Sequence, residues 1–454
     1  MELSSSRKIK INLSDYDFQK DIENRLHMAH FSISDTEVLE EILYSPLKVS
    51  IEKLAQSLET MPQDLLPILE KLSKTDLLAP QGDMIIVDKE MRKYYEFQIL
   101  KFDDDFKPDM EFLQGLLKKV PIHLLPTWYS LPRTSNNIFE SIVEKYLITP
   151  HVYKRHVEDV KALNPIYAGM IEDVYASPGL KIRSRELRDK YNLSREEFEK
   201  HMLFLEYSFS LCLSYNLVED QWKEVVTPFH EWKEYLEFLR RTEFSSISHP
   251  EEIQNKKEDE FAFIKDLIVI LKAFSEAPSD LKDTQKWAAV LQTDDLAYVS
   301  RLLKKLELLR FTDETSLSPT GEEWLSMDFE NKSIFIYRHP SNRLLEGIPK
   351  EICTEKNIRE VEKTLKRFVH AGWVYFDDYL KGAVIPFNSH LGVYLERKGK
   401  TWRYHLPEYS DVEKKWIHET LFDWFFELGM IATGTHHGRD CFKITPLGQT
   451  FLET

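Results

Sequence analysis

Leu317-Ser318-Pro319-Thr320-Gly321 and Ile444-Thr445-Pro446-Leu447-Gly448 share one pattern: an apolar residue, a hydroxyl residue, proline, a free position and glycine. Each follows an apolar helical run, an exit at Leu308-Leu309 or Gly429-Met430-Ile431, and a stretch that reads as a hairpin. A helix-turn-helix unit that carries a β wing ends this way. The repeat predicts a chain built largely as a string of such small units, and it says much less about activity.

Composition sets the outer limits. With 454 residues, 42% of them hydrophobic and 12% aromatic, the chain can bury cores for roughly three to five small domains. Its 14 glycines argue against phosphate-cradling loops and dense β-turn architectures. No stretch reaches the ~18 to 20 apolar residues that span a bilayer, and Met1-Glu2-Leu3-Ser4-Ser5-Ser6-Arg7-Lys8 leads into polar alternation. A soluble cytoplasmic protein without membrane contact is expected. Cys212, Cys353 and Cys441 are too few and too scattered for a disulfide framework or a cysteine-rich zinc site.

The 60 basic and 76 acidic side chains give a net charge of -16, which repels a polyanion unless the positive groups are segregated. Residues 330 to 454 hold 18 basic and 17 acidic groups, leaving 42 against 59 on residues 1 to 329. The C-terminal quarter is therefore where nucleic acid is expected to bind.

The fold expected is mainly α with short β-hairpins, arranged as tandem winged-helix modules. After an N-terminal segment, 1–31, the first winged helix is placed at 32–98. Val38, Leu39, Ile42 and Leu43 form its first apolar stripe, Ser50 caps its second helix, and Pro62 opens the third with Leu65, Leu69 and Leu72 behind it. Pro80-Gln81-Gly82-Asp83 turns its hairpin. Its third helix exposes Gln63, Glu70, Lys71 and Lys74, a balanced face. A helical connector, broken by Pro121, Pro126 and Pro132, fills 99–165. The second winged helix, 166–230, has the clearest turn chemistry, with Asn192-Leu193 as the turn and Ser194 with Glu197 as a capping box. A charged helical linker, 231–259, precedes a third unit at 260–327, a fourth at 328–405 and a fifth at 406–454. In the fourth, a long helix ends at Ala371-Gly372, where glycine suits a left-handed cap, before the strand Trp373-Val374-Tyr375-Phe376.

The sharpest constellation lies on the helix from Lys356 to Phe368. At 100° per residue, Ile358, Val361, Leu365, Phe368 and Val369 share one face, while Lys356, Arg359, Lys363, Lys366 and Arg367 fall within about 100° on the other. On an exposed third helix such a stripe neutralises phosphates and reads guanine. Glu355, Glu360 and Glu362 flank it at helical spacing, so a merely solvated face is the competing reading. Downstream, Arg397, Lys398, Lys400, Trp402 and Arg403 surround the glycine turn at Gly399. A wing of this kind lies along a backbone and offers Trp402 or Tyr404 to an unpaired base; the alternative is a soluble hairpin whose aromatics are cross-strand pairs.

Other motifs carry little chemistry. His436-His437-Gly438-Arg439-Asp440-Cys441 holds metal-ligand residue types, but adjacent histidines in a hairpin point to opposite faces, so no convergence on one ion is expected. Asp377-Asp378 reads as a turn or helix start. Nothing matches a P-loop, a nucleophile elbow, a zinc-hydrolase helix or a dinucleotide fingerprint. No enzymatic activity, cofactor or metal is expected.

Leu317-Ser318-Pro319-Thr320-Gly321-Glu322-Glu323-Trp324-Leu325, and the ending from Thr420-Leu421-Phe422-Asp423-Trp424-Phe425-Phe426-Glu427-Leu428-Gly429-Met430-Ile431 to Ile444-Thr445-Pro446-Leu447-Gly448, resemble the bacterial helicase-associated domain related to the N-terminal region of XPB-type helicases. The resemblance covers roughly residues 260 to 454 and implies winged-helix-like pieces in a DNA-transaction context. The helicase motor and its ATP-binding motifs are missing, so helicase activity is not implied.

Two functions emerge. One is a tandem winged-helix DNA-binding protein of transcription or chromosome maintenance, contacting DNA through the 348–405 unit. With about five to eight phosphates engaged, its affinity falls with salt at a log-log slope of about -5 to -7. The other is an acidic adaptor whose winged helices are protein-docking platforms, a reading favoured by the balanced third helices and by the negative first 329 residues.

Overall fold

The structure, a computed structural model, describes residues 9–132, 137–278, 280–339, 351–382, 387, 392–399, 401–406 and 408–453. The chain divides into two compact units, one of Met1–Phe238 with Tyr394–His405, the other of Leu239–Val393 with Leu406–Thr454. It is mainly helical, with small antiparallel sheets. Among the described residues no helix is long and apolar enough to cross a membrane.

The first unit opens with α1 (Phe18–Met28), a helix within the segment expected to precede the modules. In α2 (Ile33–Tyr44), Ser32 and Asp35 cap each other reciprocally. Strand β1 (Lys48–Ser50) leads into α3 (Ile51–Ser57), capped by Ser50, and α4 (Pro62–Ser73), where Pro62 sits in the one turn whose N–H groups have no helical partner. A hairpin of β2 (Leu78–Gln81) and β3 (Met84–Val87) turns at Gly82, whose φ of +60° suits glycine. The sheet order is β1-β3-β2. Leu39, Ile42, Leu54, Leu65, Leu69, Leu72 and Ile85 form the core these elements share, so the apolar spacing read from the sequence is the buried spacing.

Helices α5 (Lys89–Gln98), α6 (Met110–Leu117), α7 (Leu125–Trp128), α8 (Ile138–Ile142) and α9 (Pro150–Lys161) follow. The same order of elements then returns in α10 (Pro165–Ala176), β4 (Ile182–Arg183), α11 (Ser184–Tyr191), α12 (Arg195–Tyr207), β5 (Cys212–Val218) and β6 (Gln221–Thr227). Its strands are ordered β4-β6-β5, so the last strand is again central. Asn192 takes the left-handed conformation at φ 50°, and Ser194 and Glu197 form the reciprocal cap. Helix α13 (His230–Arg241) comes next.

The second unit contains β7 (Gln254–Asn255), α14 (Ala262–Glu276), α15 (Thr284–Leu291), α16 (Leu296–Leu309), α17 (Pro319–Ser326) and α18 (Phe329–Arg338). Between α16 and α17 the expected hairpin is reduced to one bridge, Thr312 to Leu317. Helix α19 (Glu355–Leu365) continues as a 3-10 turn, Lys366–Phe368, before β8 (Val374–Tyr375) and α20 (Phe376–Lys381). Gly372 is not left-handed, contrary to the cap expected there. The chain then gives β9 (Leu395–Lys398) and β10 (Thr401–Tyr404) to the first unit, and returns with α21 (Asp411–Glu419), a π-helical stretch Thr420–Phe425, β11 (Ile431–His436), β12 (Arg439–Ile444) and α22 (Pro446–Glu453).

The fourth and fifth expected units, 328–405 and 406–454, do not stand apart. Strand β8 pairs with β12 in the register Tyr375–Cys441 and Val374–Phe442, and the sheet order is β7-β11-β12-β8. A strand of two residues cannot make a sheet of its own, so β8 needs the hairpin that lies far ahead in the chain. The order α19, β8, α20, α21, β11, β12 therefore repeats the order seen twice in the first unit, with a long insertion between α20 and α21.

The two repeated stretches act alike. Ser318 donates its N–H to the Phe311 carbonyl (3.0 Å) and its hydroxyl to the Arg310 carbonyl (2.7 Å), while its Oγ accepts from Gly321 N–H (3.1 Å). Thr445 does the same toward Met430 (3.1 Å), Gly429 (2.6 Å) and Gly448 (3.1 Å). Arg310 and Gly429, left-handed at φ 53° and 72°, turn those carbonyls toward the returning chain. A Cβ at Gly321 or Gly448 would lie 2.2 or 2.0 Å from the Phe311 or Met430 carbonyl oxygen, which is why glycine closes both patterns.

Candidate functional site

The cationic helix forms, but in a different role. Counted along its module, α19 is the first helix, and the third-helix position belongs to α21 and its π-helical continuation. Ile358, Val361, Leu365, Phe368 and Val369 are buried as the periodicity requires, and Lys356, Arg359, Lys363 and Lys366 are exposed. Carboxylates hold two of the four: Arg359 Nη2 lies 2.8 Å from Glu355 and Lys363 Nζ 2.7 Å from Glu360. Arg367 is half-buried, donates to the Thr242 carbonyl at 2.7 Å, and occupies the space a side chain at Gly382 would need. Of the five cations of this stripe, Lys356 and Lys366 are the ones that are exposed with no ion pair among the described residues. Five side chains of one charge in sequence thus become two in the fold.

The expected wing contacts part from the helix. Hairpin β9–β10 belongs to the first unit, where Leu395 N–H donates to the Ile148 carbonyl (2.7 Å) and the Tyr404 hydroxyl to the Leu147 carbonyl (2.9 Å). Arg397, Lys398 and Arg403 are exposed, with Lys398 paired to Glu396 at 2.7 Å. Trp402 is half-buried with its ring edge-on to Phe139 at 6.2 Å, so it is a packing residue rather than a free stacking platform. Lys400 lies outside the described residues.

The third-helix positions are no more cationic. Asp35 holds Lys71 on α4; Glu199 and Glu224 hold Arg195 on α12; Asp423 and Glu427 hold Arg301 and Lys305 on α16; Asp411 and Glu419 hold Lys414 and Lys415 on α21. The C-terminal half of α12 is buried almost throughout. Beside the exposed Gln63, Asp64 and Glu70, α4 also turns apolar groups outward, with Met61 at its cap 69% accessible and Leu66 53%.

Sequence reasoning missed the buried ionic cluster of the first unit. Arg25, on α1, reaches Glu199 and Glu206 of α12 at 2.8 Å each, and Lys101 completes Glu206 at 2.9 Å. Burial pushes the Glu206 carboxyl up, but Arg25 and Lys101 outweigh it and bring it down to about 2. At Glu199 burial wins and the carboxyl is raised. One turn before Arg25, Asp21 accepts from Tyr94 (2.6 Å) and Lys119 (3.2 Å) beside a cavity of about 680 Å³. Burial brings Lys119 down to about 8, against the pull of Asp21. The sequence signal was an acid and a base four residues apart, Asp21 and Arg25, in the stretch 1–31 read only as an N-terminal segment.

His436 and His437 also depart from expectation. His437 is not extended: with Gly438 it forms a turn of two positive φ values, 51° and 75°, which swings its ring back toward His436. The ring centroids are 4.1 Å apart, and Glu252 approaches both. Asp377 and Asp378 lie in the first turn of α20, paired with Arg439 and Lys381.

Compared with known proteins, the chain matches no family model, no curated protein and no solved structure.

Proposed function

We propose that the chain is a non-enzymatic scaffold of winged-helix-like modules that docks other proteins. Support for the modules comes from one arrangement found three times: a helix, a short strand, two helices and a hairpin whose last strand lies between the other two. The observation that carries the docking reading is the state of the third helices. Their cations are largely consumed by carboxylates of the same unit, whereas α4 turns Met61 and Leu66 to solvent. Exposed apolar side chains on a rigid helix suit a protein partner, and a groove full of phosphates has no use for them. The likeness of residues 260 to 454 to a helicase-associated domain rests on closing motifs that local capping explains, so it adds nothing here. Affinity isolation of the full chain from its native cells tests the reading. A partner that survives nuclease digestion and is lost with Met61→Glu and Leu66→Glu supports it, and association that vanishes on nuclease treatment contradicts it.

The DNA-binding reading retains a smaller basis: Lys356 and Lys366 on α19, and Arg397 and Arg403 on the hairpin, are exposed. It requires affinity that falls steeply with salt.

A further inference from the structure

We infer that Glu252, His436 and His437 form a binding site for a divalent transition-metal ion of the zinc class. The three residues offer ligand atoms all within 4.8 Å of one another. Glu252 Oε2 lies 3.1 Å from His437 Nε2 and 3.7 Å from His436 Nε2. These values bracket the ~3.4 Å that separates ligand atoms bound at about 2.0–2.1 Å with tetrahedral angles.

Backbone geometry makes the cluster. Strand β7 pairs with β11 in the register Gln254–Thr435 and Asn255–Gly434, which fixes Glu252, two residues before β7, against the end of the last hairpin. The turn at His437-Gly438 then brings the second histidine to the same side as the first.

A simple ion pair does not account for the site. His436 is 6% exposed, and its Nε2 is buried without a hydrogen-bond partner, since 3.7 Å is too long for one to Glu252. An orphaned buried nitrogen is costly and calls for an explanation. Its other nitrogen, Nδ1, lies 2.8 Å from the Tyr375 hydroxyl. With the proton on Nδ1 and donated to Tyr375, Nε2 directs a lone pair at Glu252 and His437. Metal-ligating histidines are oriented in this way by an outer partner. Two imidazoles and one carboxylate suit Zn²⁺ or another first-row divalent ion better than Mg²⁺ or Ca²⁺, and three protein ligands leave a position for water or a further ligand. Glu252 and His437 are exposed enough for an ion to enter from solvent.

The test is titration of the full chain, free of any polyhistidine tag and stripped with chelator, with Zn²⁺ by calorimetry and Co²⁺ by visible absorption. One equivalent of each, with the Co²⁺ bands of a four- or five-coordinate nitrogen and oxygen site, is the expected result. His437→Ala and Glu252→Gln, both at exposed positions, should each weaken binding at least tenfold while the circular dichroism spectrum is unchanged. Tyr375→Phe should weaken it by about 10- to 100-fold. Absence of stoichiometric binding by the unaltered chain, or the same affinity in His437→Ala, overturns the inference.

Discussion

Arg25 holds Glu206 through both ends of its guanidinium, Nη1 to Oε2 at 2.8 Å and Nη2 to Oε1 at 3.3 Å, with both side chains shut off from solvent. The same guanidinium spends Nε on Glu199. Arg25→Ala therefore leaves two buried carboxylates without their main partner. The expected loss is about 3–5 kcal/mol, because breaking a buried pair strands the other charge. Urea unfolding measures it, and a loss below ~1 kcal/mol contradicts the role given to Arg25.

The closing straps of the second unit make a paired prediction. Gly448→Ala and Gly321→Ala drive a methyl group into the Met430 and Phe311 carbonyls and should each cost about 1–3 kcal/mol. Thr445→Ala removes the bond to Gly429 and should cost about 1 kcal/mol. Gly179→Ala is the control, since a Cβ there meets nothing within 4 Å. Equal stability for Gly448→Ala and Gly179→Ala would show that the strap does not constrain the fold.

Glu231 predicts a pH dependence. Its buried carboxyl is pushed up to about 8, and the Met110 N–H at 2.9 Å only partly offsets the burial. Between the ordinary 4.5 and 8 the folded chain holds a proton that the unfolded chain releases. Stability from this group is thus complete below about 4.5 and declines as pH rises through 8. Glu231→Gln should flatten that decline and exceed the unaltered chain by on the order of 2–4 kcal/mol at pH 8.5. Denaturation midpoints of both forms at pH 5 and 8.5 decide it; parallel declines argue against a protonated Glu231.

On α19, Lys363→Glu and Lys366→Glu should leave stability within about 0.5 kcal/mol, as exposed sites do. Arg367→Glu should not, because its guanidinium is half-buried against Gly382 and bonded to Thr242. Thermal unfolding of the three single variants separates them. An equally mild Arg367→Glu would return that side chain to the exposed stripe.

Local chemistry was the legible part of this sequence. Pro62, Gly82, Asn192 and the Ser194–Glu197 cap act within a few residues of themselves, and the structure places them as their neighbours dictate. The last module was misread because a long insertion parts α20 from α21, so a helix that opens the module looked like one that closes it. Arg25 and its partners are 174 and 181 residues apart, beyond any local pattern. His437 was misjudged through backbone conformation: alternation holds in a strand, and it fails at the first left-handed residue of a turn. Within the candidate site, helical spacing placed Lys356, Arg359, Lys363 and Lys366 on the exposed face with Glu355 and Glu360 beside them, and the fold pairs those carboxylates with Arg359 and Lys363; it missed the inward turn of Arg367 toward Thr242, a residue remote in sequence.

The central claim, that these modules dock proteins rather than DNA, is tested most directly by fluorescence anisotropy of a labelled 30-base-pair duplex titrated with the full chain at 50 and 200 mM salt. The account predicts no binding tighter than about 10 µM at the lower salt, within the range of weak non-specific contact, and no change with Lys363→Glu and Lys366→Glu combined. Submicromolar binding that falls steeply between the two salt concentrations and disappears in the double variant would contradict it.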